Sequence, residues 1–309
     1  MSTRAGGRWI ATLVVAFLAS GCSIKRLAVN KVGDAIASSG SGYESDEDPE
    51  LVGEALPFSL KLLESLLAES PKHEGMLLAA CKGFTSYSYA YVDREAELAI
   101  ENDLDRGLAL EQRARKLYLR ALGYGLRGLE LRQPGLTAGL LTDPRGAVAA
   151  VEAQNVPLLY WSAASLGLAI SVSLGDAAMV ARLPEVEALL DRALALDEAW
   201  QDGVLHEFTI VLESARPLGS GGRAALRPHF DRALDLSNGD RASVYLAWAE
   251  SVSVREQDAA EFRSLLEQAL AIDPDARTEL RLSNLLAQRR ARWLLDRTED
   301  LFLEAGDAP

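Results

Sequence analysis

The histidines and one glycine-flanked serine are the residues of this chain that could take part in catalysis. His206-Glu207 is not followed by a second histidine at the spacing of a zinc metalloprotease. Ser220 lies in a glycine-rich stretch, residues 219–222, that lacks both the preceding strand and the Lys-Ser/Thr of a phosphate-binding loop. We therefore predict no catalytic residue, no metal and no cofactor, and expect His206 and Glu207 to make structural hydrogen bonds or cap a helix.

The two cysteines have different expected roles. Cys22 ends the stretch LASGC, which follows two arginines and a short apolar run and resembles the lipobox of bacterial lipoproteins. The apolar run is too short to span a bilayer and has the size of a signal-peptide core. We predict that residues 1–21 are removed and that acyl chains on Cys22 anchor the protein. Cys81 lies in an apolar helical run, and we expect a buried, inert thiol there.

Aromatic side chains in the first half of the chain could form an apolar pocket. Tyr87 and Tyr91 are one helical turn apart, and Phe84 lies a further turn back, whereas Tyr89 points to another face. Such a cluster can bind an apolar ligand while the hydroxyl groups orient its polar end. The alternative is that these rings fill the core between helices.

A second aromatic pair, Tyr160-Trp161, begins a very apolar helix. The small residues that follow, among them Ala163 and Gly167, could leave space for a ligand beside the rings. They could equally allow close packing of neighbouring helices, which is the reading we favour for this pair. Both aromatic groups therefore remain candidates for a site that takes a hydrophobic small molecule or a lipid-like carboxylate.

Arg289, Arg290 and Arg292 form a basic patch near the C-terminus of an otherwise acidic chain, whose formal net charge is -13. The patch could bind a carboxylate or a partner protein, or it could form salt bridges to neighbouring helices. An acidic surface of this kind argues against nucleic acid as a ligand. It also argues against docking of the folded body on anionic lipid, so we expect membrane contact through the acyl chains only.

A repeated phrase in the C-terminal half predicts the architecture that positions these residues. LDRALALD at 190–197 is echoed by FDRALDLS at 230–237 and LEQALAIDP at 266–274. Its alanines, Ala193, Ala233 and Ala269, follow at intervals typical of helix-turn-helix repeats, which bury their apolar faces by stacking. We predict an all-α fold, a tetratricopeptide-like solenoid or bundle of helical hairpins.

Changes in composition along the sequence divide the chain into three parts. Residues 1–21 are the predicted signal peptide, 22–50 a lipidated N-terminus with a polar tether, and 51–309 the helical domain. The expected helices include a long one from residue 74 to 105, one over 198–214, and a capping helix over 277–303. Each range ends near a polar or proline-rich break.

Several segments together resemble the T component of tripartite ATP-independent periplasmic (TRAP) transporters. They are LYWSAA at 159–164, HE at 206–207, ESARP at 213–217, FDRALDLS at 230–237 and RLSNLLAQRRARWLL at 281–295. The resemblance implies an all-helical lipoprotein that associates with a cognate TRAP solute-binding protein, with a homotrimer as the expected assembly. It further implies an apolar pore or cleft and a cargo that is apolar or lipid-like.

The position after Cys22 bears on where such a lipoprotein would reside. Ser23 stands where many Gram-negative lipoproteins kept in the inner membrane carry an aspartate. The expected location in the cell envelope is therefore the periplasmic face of the outer membrane. A second function remains open beside the TRAP hypothesis, namely a tetratricopeptide-type scaffold in envelope assembly whose groove holds a peptide or protein.

Overall fold

Every regular element in the computed structural model is helical, and the model describes residues 27–37, 40–214 and 222–303. The prediction of an all-α fold is therefore confirmed for this part of the chain, while the tetratricopeptide-like arrangement stays a prediction. None of the described helices combines the length and the apolar character that crossing a membrane requires.

The helices of the first half surround the longest of them, α6. The first helix, α1, covers residues 27–37. The others are α2 (Gly40–Glu44), α3 (Pro49–Glu69), α4 (Glu74–Tyr87), the π-helical segment π1 (Ser88–Asp93), α5 (Arg94–Ile100), α6 (Leu104–Arg132), α7 (Leu136–Leu140) and α8 (Pro144–Val148). α6 packs against α4 and α5, and later against α9, so it joins the N-terminal hairpins to the middle of the chain.

The second half continues as consecutive hairpins. Its elements are α9 (Val156–Ser171), α10 (Ala177–Val180), α11 (Leu183–Leu196), α12 (Val204–Ser214), α13 (Arg223–Ser237), α14 (Ala242–Trp248), the segment π2 (Ala249–Ser253), α15 (Ala259–Ala271), α16 (Arg281–Asp296) and α17 (Thr298–Leu301). Packing runs from α9 to α11, then α12 to α13 and α14, and α14 to α15 and α16.

The repeated alanines lie on the buried faces of three helices. Ala193, Ala233 and Ala269 are each 0% exposed, on α11, α13 and α15. The residues seven positions earlier, Val186, Leu226 and Phe262, are at most 1% exposed, so each of these helices buries the same stripe. The repeated phrase therefore corresponds to a repeated pattern of burial.

Short polar side chains set several helix starts. Asp103 accepts a hydrogen bond from the Arg106 amide at 3.0 Å and begins α6, while His73 accepts one from the Met76 amide and begins α4. These are N-caps, which satisfy amides that lack a partner within the helix. The helix predicted from residue 74 to 105 therefore ends at Ile100, and a new helix begins at Leu104.

The start of the helix predicted over 198–214 is also corrected. Gln201, Asp202 and Gly203 have positive φ values of 46°, 57° and 86°, so the chain turns sharply before α12 begins at Val204. Arg241 donates to the Gln201 carbonyl at 2.8 Å, and Arg277 donates to the Asp202 carboxylate at 2.7 Å. Two arginines from later hairpins thus hold the strained turn in place.

The stretch expected as a polar tether is partly folded. Within residues 40–50, Tyr43 shares a hydrogen bond of 2.7 Å with Ser59 on α3, and Glu44 pairs with Lys82 on α4. Its glycines and serines favour a loop, but its tyrosine and charged side chains find partners on the domain. This correction concerns the described part of the range; Cys22 and residues 1–21 lie outside the described residues.

Candidate functional site

Four aromatic rings meet where α9, the α11–α12 turn and α12 come together. The Tyr160 ring centroid lies 4.9 Å from that of Trp161, 5.0 Å from Trp200 and 6.1 Å from Phe208. Tyr160 is 9% exposed, whereas Trp161, Trp200 and Phe208 remain half-buried. We call these four residues the aromatic cluster; its outer rings keep surface that a ligand could cover.

The small residues after Trp161 allow close packing of helices. Ala163 is 0% and Ala164 is 5% exposed, so both are covered by neighbouring helices. A Cβ atom at Gly167 would lie 3.1 Å from the Phe208 ring, which shows that this ring approaches α9 closely. The packing alternative therefore describes these positions, while Trp161, Trp200 and Phe208 are the half-buried part of the cluster.

The first aromatic group lies in a different place. Phe84 is 3% exposed and stacks on Tyr124 of α6 at 5.9 Å, within the N-terminal core. Tyr87 and Tyr91 stack at 5.8 Å, and the Tyr91 hydroxyl donates to the Pro49 carbonyl at 2.7 Å. No ring contact among the described residues joins this group to the aromatic cluster. The hydrogen bond from Tyr91 to Pro49 connects π1 to α3.

Tyr89, which the sequence placed on another helix face, carries a polar contact that spacing alone did not reveal. Its hydroxyl accepts a hydrogen bond of 2.7 Å from Arg94, and its ring is 43% exposed. In a regular α-helix, residues five apart point about 140° away from one another. The π1 segment removes that offset and brings Tyr89 and Arg94 together. Segments of this kind often occur at functional sites.

A charged group surrounds Arg94. Its guanidinium donates to Glu97 at 2.9 Å, and burial, which alone would lower its pKa, is outweighed by Tyr89, Glu250 and Glu97, which raise it. Glu250 comes from π2, the second π-helical segment. Tyr89 of π1 and Glu250 of π2, two distortions far apart in the sequence, therefore both act on Arg94. Arg94 stays protonated throughout the physiological pH range.

Arg290 connects this group to the C-terminal helix. It donates two hydrogen bonds to Glu97, at 2.6 and 2.8 Å, and two to Glu250, at 2.8 and 2.6 Å. The pKa of Glu97 is lowered, because the hydrogen bonds and charges of Arg290 and Arg94 outweigh burial, which alone would raise it. The salt-bridge alternative thus describes Arg290.

A row of such pairs closes the helix array on itself. Arg289 lies 2.6 Å from Glu50 on α3, Arg290 pairs with Glu97 on α5, and Arg297 pairs with Glu101 just after α5. We call these three pairs the seam. α16 was expected to be an end cap with a polar outer face; instead its basic side chains meet acidic residues of the first hairpins, because opposite charges line the two sides.

On α16, Trp293 packs against two arginines, whereas Arg292 is exposed. The guanidinium carbons of Arg290 and Arg297 lie 4.2 and 4.3 Å from the Trp293 ring centroids, so cation–π contacts order both arginines. Arg292 is exposed and forms no ion pair with another described residue. Of the three candidate arginines, Arg292 is the one whose charge is left available on the surface.

Two further acidic groups are half-buried. Asp93 of π1 accepts a hydrogen bond of 2.8 Å from the Tyr118 hydroxyl, and burial raises the pKa of its carboxyl. Glu207 of α12 accepts one of 2.9 Å from Ser243, and burial raises its pKa too. Burial also raises the pKa of Tyr160, and the charge of Glu207 adds to that effect. The interior is therefore both aromatic and polar.

The histidines have structural partners. The Nδ1 atoms of His206 and His229 lie 2.9 Å apart, across α12 and α13, and the Glu198 carboxylate lies 3.3 Å from His206 Nε2. Burial lowers the pKa of both rings. Within the described ranges, no group of three or more His, Cys, Asp or Glu side chains is placed to hold a metal.

These features define a class: an all-α protein of packed helical hairpins, closed end to end by ion pairs, with an aromatic and charged interior. The family model described as TRAP transporter T-component matches residues 45–302, so the chain belongs to that family. An uncharacterised protein of Treponema pallidum (strain Nichols) is 27% identical over 306 residues, covering 93% of this chain and 95% of the relative. The family resemblance seen in the sequence is thus confirmed, and with it an accessory role in TRAP transport.

Proposed function

We propose that this protein is a lipid-anchored component of the cell envelope that binds an apolar small molecule, a carboxylate or lipid-like compound, for a TRAP transporter without covalent chemistry. The aromatic cluster is the observation that carries the proposal. The half-buried Trp161 and Phe208 offer apolar surface. Tyr89, which accepts a hydrogen bond from Arg94, lies close enough to Tyr160 of the same cluster to raise its pKa. Arg94 would orient a carboxylate, since a guanidinium binds carboxylates with two parallel hydrogen bonds.

Ligand binding is tested with fatty acids of increasing chain length. The protein without residues 1–22 is titrated with each acid while tryptophan fluorescence and calorimetry are recorded. Trp161→Ala should weaken binding about tenfold or more, since removing a large ring contact costs on the order of 1.4 kcal/mol or above. Arg94→Gln should weaken binding of the acid more than binding of the matching alcohol.

Trp293→Ala is the matched control for this test. It removes a tryptophan that packs on Arg290 and Arg297 and makes no ring contact with the aromatic cluster among the described residues, so it should leave the affinity for the matching alcohols unchanged. If Trp161→Ala binds every acid as the wild type does, the aromatic cluster is not the ligand site. Native mass spectrometry of protein purified from its own periplasm then shows whether any apolar acid accompanies the chain.

The proposed partner is the TRAP solute-binding protein, and the proposed assembly is a homotrimer. Exposed Arg292 is the candidate contact on α16, because the neighbouring Arg289 and Arg290 are already paired. Co-purification at a fixed ratio with the solute-binding protein, weakened by Arg292→Glu, would support this part. Native mass spectrometry gives the number of copies directly.

The proposed anchor is Cys22, at the periplasmic face of the outer membrane. Palmitate-analogue labelling should succeed on the wild type and be lost in Cys22→Ala. Fractionation of the two membranes tests the address. Neither measurement depends on ligand binding, so the anchor and the ligand site can fail separately.

A further inference from the structure

Helix α1 is fixed to the domain. The Asp34 carboxylate lies 3.2 Å from His73 Nε2 at the start of α4. A Cβ atom at Gly33 would lie 2.5 Å from the Met76 sulfur, so the backbone of α1 rests directly against that side chain. Only a glycine permits this approach without a shift of Met76. α1 therefore belongs to the folded body and not to a flexible tether.

The face of α1 turned away from the domain is unusually apolar. Leu27 is 60% and Val32 is 48% exposed, and Ala28, Lys31 and Ala35 are exposed beside them. The acidic residue Asp34 is also exposed, but its carboxylate is paired with His73. The outer face of a solvated helix is normally rich in charged residues. A helix with apolar residues and lysine on its outer face is typical of one that lies at a membrane surface.

The chain between Cys22 and α1 is very short. Five Cα–Cα steps separate Cys22 from Leu27 and can span at most about 18 Å. The intervening residues include Lys25 and Arg26, so positive charge accumulates next to the proposed acylation site. Basic residues near an anionic membrane surface are attracted to it.

We propose that the outer face of α1, centred on Leu27 and Val32, lies on the phospholipid headgroups of the membrane that holds the acyl chains of Cys22. This proposal rests on the proposed acylation. The net charge of -13 opposes lipid contact by the body as a whole. The anchor overcomes this locally, because it keeps α1 at a high effective concentration beside the bilayer, and the exposed Lys31 offsets the repulsion there.

The test uses a single environment-sensitive NBD label on the acylated protein in vesicles of phosphatidylethanolamine and phosphatidylglycerol. Val32→Cys or Ala28→Cys carries the label; Cys81 is 0% exposed and its thiol pKa is raised by burial to about 12, so it stays unlabelled. Leu174→Cys, at a position 67% exposed, is the control. Labels on α1 should shift to the blue and resist quenching by aqueous iodide, and the control label should do neither.

Mass spectrometry of the N-terminal peptide separates the two levels of the proposal. An acylated protein whose labels at residues 28 and 32 remain as accessible to iodide as the label at 174 overturns the orientation and leaves the anchor standing. Protection of those labels that appears only when the solute-binding protein is added overturns it as well and assigns the face to a protein. Absence of acyl chains on Cys22 overturns anchor and orientation together.

Discussion

Replacing Arg290 by methionine perturbs the seam at its most buried pair. The Arg290 side chain is 15% exposed and lies between Glu97, at 36%, and Glu250, at 29%. Removing one partner of a fully buried ion pair costs about 3–5 kcal/mol, and an exposed pair contributes about 0–1 kcal/mol. Because Arg290 and its partners are partly exposed, Arg290→Met should lower the free energy of unfolding by about 2 kcal/mol. This corresponds to a fall in the melting temperature of about 4 °C or more.

The pH dependence of this loss follows from Glu97. Its pKa is lowered in the folded protein, so its contribution to stability is complete above the unfolded value of about 4.3 and is lost as the pH falls through the folded value. In Arg290→Met the pKa of Glu97 rises, and much of that contribution disappears. The two proteins should therefore differ most at pH 7 and least at an acidic pH below the folded pKa of Glu97.

Urea denaturation at both pH values measures the effect. Arg292→Met is the control, since Arg292 is exposed and forms no ion pair with another described residue. Adding Glu250→Gln to Arg290→Met should restore part of the stability, because one of two facing carboxylates is removed. Equal unfolding midpoints for Arg290→Met and Arg292→Met at pH 7 would refute the idea that the seam stabilises the fold.

Three further predictions concern buried positions. Gly125→Ala should lower the free energy of unfolding by about 1–3 kcal/mol in chemical denaturation, because its Cβ would lie 2.3 Å from Ser162 Oγ and 2.8 Å from Cys81 Sγ; Gly123→Ala, which meets nothing within 4 Å, is the control. Cys81 should not react with a thiol reagent in the native protein and should react fully in urea, as a colorimetric assay would show, because burial raises its pKa to about 12. Asn284→Ala should cost about 2–3 kcal/mol, measured by thermal unfolding, since its buried amide joins the Ala242 amide and the Asp240 carbonyl.

Local patterns predicted the helices well. The stripe that ends in Ala193, Ala233 and Ala269 follows from helical spacing, and all three alanines are fully buried. Helix ends were less predictable, because a cap such as Asp103 competes with an uninterrupted apolar pattern. The prediction for Cys81 required only its apolar neighbours, and the thiol is buried.

The candidate site was harder to predict, since its contacts join distant parts of the chain. Arg290 and Glu97 are 193 residues apart, and no pattern in either segment predicts that the two side chains pair. The π1 segment could not be predicted either, because an extra residue in a helical turn does not change the composition of the segment. Tyr89 was therefore assigned to another face without a partner, and the acidic side of the seam was missed.

The seam also gives the chain a definite last step in folding. Helices near the N-terminus are synthesised first, and an ordinary repeat array can fold as its hairpins emerge. Here Glu97 and Glu101 can form their seam pairs only after Arg290 and Arg297, which follow 193 and 196 residues later, have been synthesised. A nascent or truncated chain without residues 281–297 would lack all three pairs of the seam. The same short C-terminal stretch thus decides when the last hairpins become joined to the first.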